Sequence, residues 1–154
     1  MTAVPCLCGI DPGLKGGLAF YFSSYDKISC EDLPVANGSV DAATLAARIR
    51  QLAPTVAVVE AQSARPGQGV SSCFQIGRGF GTIIGVVAAL GVPLHVVSPA
   101  AWKKHFHLDK DKEKSRALAL RLWPGQADMF KLKKHEARAE AALIARFYAE
   151  RILK

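Results

Sequence analysis

Four carboxylates are the side chains of this sequence best suited to chemistry. Asp11 in GIDPG and Glu60 in VVEAQ each follow an apolar run of strand character. Glu136 and Glu140, in HEARAEA, are four residues apart in a segment of helical pattern, so both project from one helix face. Carboxylates brought together without a matching set of Lys or Arg repel one another, unless a divalent cation lies among them. The pattern therefore predicts a magnesium site.

Two carboxylate-bound Mg²⁺ ions are a known arrangement for phosphodiester hydrolysis, because one activates the attacking water and the other stabilises the leaving oxygen. We expect Asp11 to bridge both ions and Glu60 to hold one of them, with Glu136 and Glu140 completing each active site; Mn²⁺ can substitute for Mg²⁺. His135 is a candidate for positioning a water or protonating a leaving group. A histidine beside a lysine run is, however, more often a surface residue.

The positive charge is concentrated in the last third of the sequence. The formal net charge is +7, yet residues 1–100 carry six basic and six acidic side chains, whereas residues 101–154 carry fourteen and seven. A solvated basic face is the ordinary explanation. Here the basic segment also contains Glu136 and Glu140, and a cation site beside a basic surface suits a polyanion held by its phosphates.

Length and composition favour one soluble domain spanning residues 1–154. Half of the residues are hydrophobic, which excludes a disordered chain. The longest apolar stretch, residues 82–97, is interrupted and shorter than a membrane span, so we expect no membrane partner. The four cysteines lack zinc or redox spacing and are expected to be free thiols of a reducing compartment.

The order of predicted elements is βββαβαβα with helical additions, which is typical of an α/β ribonuclease H-like fold with a mixed five-stranded sheet flanked by helices. Residues 61–73 are expected to form an exposed loop. The helix that follows contains four glycines, which either let a second backbone approach or let the helix pack closely on the sheet. The predicted strands are 4–11, 18–22, 27–33, 55–60 and 92–97, and the predicted helices are 41–52 (with Asp41 as N-cap), 74–90, 99–106, 112–122 and 135–153.

Six motifs together resemble one known family, the RuvC-type Holliday junction resolvases, particularly their phage-like and plastid branch. These motifs span nearly the whole sequence in order: GIDPGLKGGLAF, VVEAQ, PGQGVSSCFQIGRGFGTIIGVVAALGVP, SPAAWKK, DKEKSRALAL and RAEAALIA. The resemblance implies a ribonuclease H fold and a homodimer. It also implies Mg²⁺-dependent, paired symmetric nicking of four-way DNA junctions, in recombination and repair, that leaves 5′-phosphate and 3′-hydroxyl ends.

The resemblance also assigns residues to the active site. Asp11, Glu60 and Glu140 match the family's acidic positions. Many relatives have a KKDHGRAEA-like run where this sequence has KKHEARAEA, so Glu136 is the expected fourth ligand and His135 the alternative. By resemblance, Lys114 in DKEKS lies near the scissile phosphate, where its charge would offset the transition state.

DNA contacts are expected from two groups of side chains. Phe74 and Phe80 could stack on opened bases or wedge between them, although core packing is an equally good explanation for both. The phosphate-contact candidates are Lys103, Lys104, Lys112, Lys131, Lys133 and Lys134. The candidates facing the junction centre are Arg65, Gln68, Phe74, Arg78 and Phe80.

Two other functions are compatible with the same sequence. A catalytically inactive module that binds branched DNA is one, although four carboxylates near phosphates would weaken a pure binder. A ribonuclease H-like nuclease acting on RNA/DNA hybrids is the other. A bacterial or phage enzyme would act in the cytoplasm or at the nucleoid, and an organellar one, whose transit peptide has been removed, in a plastid or mitochondrion.

Overall fold

The computed structural model describes residues 5–153 of the 154-residue chain. Val4, the first residue of the first predicted strand, lies outside the described residues, as do residues 1–3 and 154 of the predicted domain.

Five strands form one mixed sheet, in which the predicted ribonuclease H-like order is confirmed. Their bounds are β1 Leu7–Asp11, β2 Gly17–Phe22, β3 Lys27–Asp32, β6 Val56–Glu60 and β7 Leu94–Val97. A separate small hairpin consists of β4 Val35–Ala36 and β5 Ser39–Val40. The spatial order is β3-β2-β1-β6-β7. β1 is antiparallel to β2 and parallel to β6, and β7 is parallel to β6. The carboxyl ends of β1, β6 and β7 therefore meet at one edge.

Helices cover both faces of the sheet. Their bounds are α1 Ala42–Leu52, α2 Val70–Ala89, α3 Pro99–His105, α4 Lys112–Leu122 and α5 Glu136–Arg151, with short 3-10 turns at Pro124–Met129 and Lys133–His135. Helices α1 and α2 contribute to the core on one face of the sheet, and α3, α4 and α5 to the core on the other. The predicted N-cap is confirmed, because the Asp41 side chain accepts a hydrogen bond from the backbone N of Thr44 at 3.1 Å.

Two local predictions were wrong. Helix α2 begins at Val70 rather than at Phe74, because its first turn is already closed by the bond from Cys73 N to Gly69 O at 3.0 Å. The segment just before Phe74 is rich in exposed glycine and serine, a composition typical of loops, so the sequence did not indicate this first turn. The hairpin of β4 and β5 was not predicted either, because each of its strands has only two residues.

Helix α5 packs directly on the centre of the sheet through small residues. A Cβ atom built on Gly9 of β1 would lie 2.1 Å from the backbone oxygen of Ala141, and one on Gly17 of β2 would lie 2.2 Å from the backbone oxygen of Ala137. Real Cβ atoms do not approach oxygen so closely. The two glycines and the facing alanines thus set the height of α5 above β1 and β2.

Strand alternation places two of the predicted carboxylates on the α5 face. Leu7 of β1 and Val58 of β6 belong to the core on that face. Because side chains alternate along a strand, Asp11 and Glu60 lie on the same face as these residues. Ile10 pairs with Val59 across the two strands, so the two carboxylates are neighbours at the end of the sheet.

Helix α2 is only partly covered by the rest of the described chain. Only Ile83 and Val87 of its twenty residues are buried, while Phe74 is 67% exposed. Cβ atoms built on Gly77, Gly81 or Gly85 would meet no heavy atom within 4 Å, so close packing on the sheet does not account for these three glycines. By length and composition alone α2 could cross a membrane, which for a single such helix is weak evidence.

Replacing Gly9 by alanine tests the contact between α5 and the sheet. We expect Gly9→Ala to lower the free energy of unfolding by about 3 kcal/mol or more, because the new methyl group overlaps the α5 backbone. Gly125→Ala is the matched control, since its methyl group would point into open space. Urea unfolding of both variants gives the comparison, and a Gly9→Ala variant as stable as the control would show that α5 lies higher on the sheet.

Candidate active site

Three carboxylates from different elements meet at the carboxyl end of β1. Asp11 is 7% exposed and Glu140 of α5 is 4% exposed. Burial raises the pKa of Asp11 well above its ordinary value, and the nearby charges of Glu140 and Glu60 raise it further. Asp11, Glu60 and Glu140 therefore form one electrostatically coupled cluster.

Glu60 is held by a buried tryptophan. Its Oε2 accepts a hydrogen bond of 2.8 Å from the indole Nε1–H of Trp102. Its Oε1 has, within the part of the chain that the structure describes, one weaker contact of 3.4 Å with the side-chain nitrogen of Gln62. Burial raises the pKa of Glu60, and the indole hydrogen bond acts in the opposite direction by stabilising the ionised form.

Two lysines supply positive charge to the cluster. The Nζ atom of Lys112 lies 3.3 Å from Glu140 Oε1, and that of Lys103 lies 3.9 Å from Oε2 of the same carboxylate. Within residues 5–153, no group of three or more His, Cys, Asp or Glu side chains is arranged to hold a metal ion as the side chains stand. The donors are nonetheless all carboxylate oxygens, which fits Mg²⁺.

A basic cleft lies beside the carboxylates. Its volume is about 730 Å³, and Glu136 lines it, one helical turn before Glu140. The cleft also contains lysines from three segments of the chain, which are Lys15, Lys112, Lys133 and Lys134. None of Asp11, Glu60 and Glu140 lines the cleft itself. Lys112, which lines the cleft and contacts Glu140, connects the two features.

Lys114, expected near the scissile phosphate, is directed away from the carboxylates. Its ammonium group pairs with Asp109, and the side chain is 55% exposed. Lys112 and Lys114 are two residues apart in the first turn of α4, which rotates their side chains about 200° from each other around the helix axis. Lys112, nominated only as a DNA contact, is the lysine of this turn that reaches Glu140.

His135 has a structural contact in the turn before α5. It is buried, and its Nδ1 accepts a hydrogen bond from the backbone N–H of Leu132 at 3.2 Å. Burial lowers the pKa of His135, so the neutral ring that this contact requires is favoured. The proposed catalytic role of His135 is therefore not supported by a contact with the carboxylates.

The other nominated DNA contacts lie in several different surroundings. Lys133 and Lys134 line the basic cleft, and Arg65, Phe74 and Arg78 are exposed on the loop before α2 or on α2 itself. Gln68 and Lys131 are engaged within the chain, Gln68 by the backbone of Arg65 and by Ser72, and Lys131 by Asp128. Phe80 packs against the core, and Lys104 lines a different pocket with His105 and Arg151.

Similarity to known proteins was found among solved structures. Neither a protein-family model nor a curated protein matches the sequence. T. thermophilus RuvC in complex with Holliday junction substrate matches with a TM-score of 0.64 at 19% identity, over 95% of each chain. A second T. thermophilus RuvC structure gives 0.60 at 21% identity, over 94% of this chain and 95% of that one. The fowlpox virus Holliday junction resolvase gives 0.56 at 15% identity, over 94% and 97%.

This chain has the fold of RuvC. The similarity extends over nearly the whole length of both chains, so the RuvC-like fold includes α5 and the acidic end of the sheet. The ribonuclease H-like architecture expected from the sequence agrees with this finding.

Sequence reasoning missed the contact between Trp102 and Glu60 and the position of Lys112. The two residues of the first pair are 42 positions apart, and no local pattern indicates which acceptor a tryptophan will contact. For Lys112, the helical rotation between it and Lys114 was a usable signal. It would have shown that only one of the two lysines can face the carboxylates.

Asp11→Asn should stabilise the chain at neutral pH in the presence of a chelator. Because the pKa of Asp11 is raised in the folded state, the free energy of unfolding falls as pH rises from the ordinary carboxyl pKa through the raised one. Asparagine removes this cost, so the gain in melting temperature should shrink at acidic pH. Asp128→Asn is the control, because Asp128 is exposed and pairs only with Lys131. A loss of stability in Asp11→Asn that is equal at all pH values would contradict the coupled cluster.

Proposed function

We propose that the chain is a structure-specific endodeoxyribonuclease that resolves four-way DNA junctions by Mg²⁺-dependent phosphodiester hydrolysis. The observation that carries the proposal is the meeting of Asp11, Glu60 and Glu140 beside a lysine-lined cleft. The RuvC-like fold supports it, since one of the matched structures is a complex of RuvC with Holliday junction substrate. The products would carry 5′-phosphate and 3′-hydroxyl ends that can be rejoined in recombination and repair.

The residues of the site divide into those that would hold metal and those that would hold DNA. Asp11, Glu60 and Glu140 would bind Mg²⁺, and Glu136, at the edge of the cleft, is the fourth candidate ligand. When bound, two Mg²⁺ ions supply an activated water and stabilisation of the leaving oxygen. Burial of Asp11 and Glu140 excludes water from the carboxylates, which strengthens their attraction for a cation.

The lysines of the site would act on the phosphate backbone. Lys112 lies between the cleft and Glu140, so its ammonium group can exchange its contact with the carboxylate for one with a phosphate once cations neutralise the cluster. Its charge would then offset the negative charge that develops on the reacting phosphate. Lys133 and Lys134 would position the strand through charge alone, with no base preference.

The buried carboxylates favour a nuclease over an inactive DNA-binding module. Asp11 and Glu140 are almost fully buried, and keeping like charges there raises the free energy of the folded chain. A module that only binds phosphates gains nothing from this cost. A nuclease acting on RNA/DNA hybrids would use the same carboxylates, so the substrate has to be settled by assay.

Two symmetric nicks require two active sites, and helix α2 is the surface we propose for pairing with a second copy of the chain. Val70 and Phe74 are exposed apolar residues on α2. Cβ atoms built on Gly77 and Gly81 would meet no heavy atom within 4 Å, so another backbone has space to approach there. Burying this surface against an identical helix would remove it from water. We expect sedimentation of the chain to give a dimer, and Phe74→Lys to shift it to monomer. A chain that is monomeric at all concentrations would contradict this pairing.

The activity is tested by cleavage of a four-way junction with a mobile core, compared with linear duplex and RNA/DNA hybrid. We expect paired symmetric nicks in the junction alone, in Mg²⁺ or Mn²⁺, and none with chelator. Asp11→Asn should still bind the junction but cut it no faster than the background, because it removes a metal ligand. Junction binding without cleavage by the wild-type chain in either metal would indicate a binding module, and hybrid cleavage would indicate a ribonuclease H.

Lys112→Met and Lys114→Met form a matched pair for the catalytic lysine. Both lysines lie in the first turn of α4 with equal exposure, but only Lys112 reaches Glu140. We expect Lys112→Met to slow single-turnover cleavage of saturating junction by about 100-fold or more, and Lys114→Met to leave it nearly unchanged. The opposite result would favour the assignment drawn from the sequence motif DKEKS.

A further inference from the structure

The strongest unexplained contact of the site is that between Trp102 and Glu60. Trp102 is fully buried, and its indole nitrogen lies 2.8 Å from Glu60 Oε2. An indole N–H can only donate a hydrogen bond, and once buried it needs an acceptor. Oε2 supplies that acceptor. Among residues 5–153, the one hydrogen-bond contact of Oε1 is that of 3.4 Å with Gln62, so Oε1 retains most of its capacity to bind a cation.

The chain fixes the position of Trp102 through the strand beside Glu60. Glu60 pairs with Val97 at the end of β7, and α3 begins two residues later at Pro99. The Ser98 side chain caps this helix by accepting a hydrogen bond from Ala101 N at 3.1 Å. Trp102 then lies fully buried in the core cluster that α5 also joins. The donor is thus held by the same pair of strands that carries the carboxylate.

We propose that Trp102 is a positioning residue that fixes Glu60 for metal binding, an inference that rests on the proposed function. The indole holds Oε2 and thereby sets the rotation of the whole carboxylate. Oε1 is then oriented before a cation arrives, and the entropy of ordering the side chain is not lost on binding. Partners of this kind, which orient a ligand without touching the metal, typically contribute about 10- to 100-fold in metal affinity.

The chain contains a matched control for this interaction. Trp123 is also buried, and its indole Nε1–H donates to a carboxylate oxygen of Asp26 at 3.1 Å. Asp26 lies in the turn between β2 and β3, at the opposite end of β2 from Asp11. Trp123→Phe therefore removes the same kind of hydrogen bond and a similar packing volume, but away from the carboxylate cluster.

The test is the affinity of the 154-residue chain for Mn²⁺ alone, measured by electron paramagnetic resonance without DNA. We expect Trp102→Phe to weaken Mn²⁺ binding by about 10-fold or more, and Trp123→Phe to leave it unchanged. In a Glu60→Ala background, Trp102→Phe should have no further effect, because the indole acts through Glu60. Circular dichroism establishes that each variant is folded.

A second measurement needs no substitution at Trp102. In ¹H–¹⁵N spectra of the wild-type chain titrated with Mg²⁺, the indole resonance of Trp102 should shift and that of Trp123 should not; the Trp123→Phe spectrum assigns the two. An unmoved Trp102 resonance at saturating Mg²⁺ would overturn the proposal. So would equal Mn²⁺ affinities of wild type and Trp102→Phe, or equal losses in both Phe variants. A wild-type chain that binds no Mn²⁺ would overturn the proposed function together with this inference.

Discussion

The direct packing of α5 on β1 and β2 is the contact on which the rest of the site depends. Gly9 and Gly17 leave no side chain between the sheet and the helix backbone, and the facing positions of α5 are alanines. This close approach places Glu140 over the end of β1, beside Asp11. A larger residue at either glycine would lift the helix and separate the carboxylate of the helix from those of the strands. The same small residues thus pack the core and bring the carboxylates together.

Burial and like charge both disfavour the ionised form of Asp11 in the resulting cluster. Asp11 and Glu140 are nearly inaccessible to water, so their ionised forms are costly without compensation. Lys103 and Lys112 supply part of the compensation by approaching Glu140. The proposed metal binding requires a doubly charged ion to replace these ammonium groups at the carboxylates. Under the proposed function, a phosphate in the cleft that Lys112 lines would then be the contact for its displaced ammonium group.

Local patterns in the sequence were sufficient for the five strands of the main sheet, their order along the chain and the grouping of Asp11 and Glu60, because apolar runs and parallel pairing determine where strand ends meet. The same order predicted the ribonuclease H-like architecture, whereas the resemblance to RuvC-type resolvases rested on six sequence motifs. Contacts between distant segments were not predictable in this way. The bond from Trp102 to Glu60 depends on how α3 enters the core, and the choice of Lys112 over Lys114 depends on the rotation of α4 against α5. The early start of α2 was missed because its first turn is held by backbone bonds that composition does not report.

The central claim is that Asp11, Glu60 and Glu140 bind divalent metal. It is tested most directly by a crystal of the chain soaked in Mn²⁺ and measured at the manganese absorption edge. We predict anomalous density in contact with all three carboxylates, with the ammonium group of Lys112 displaced from Glu140. Well-ordered carboxylates that keep both lysine contacts, with no anomalous density between them at saturating Mn²⁺, would contradict the metal centre.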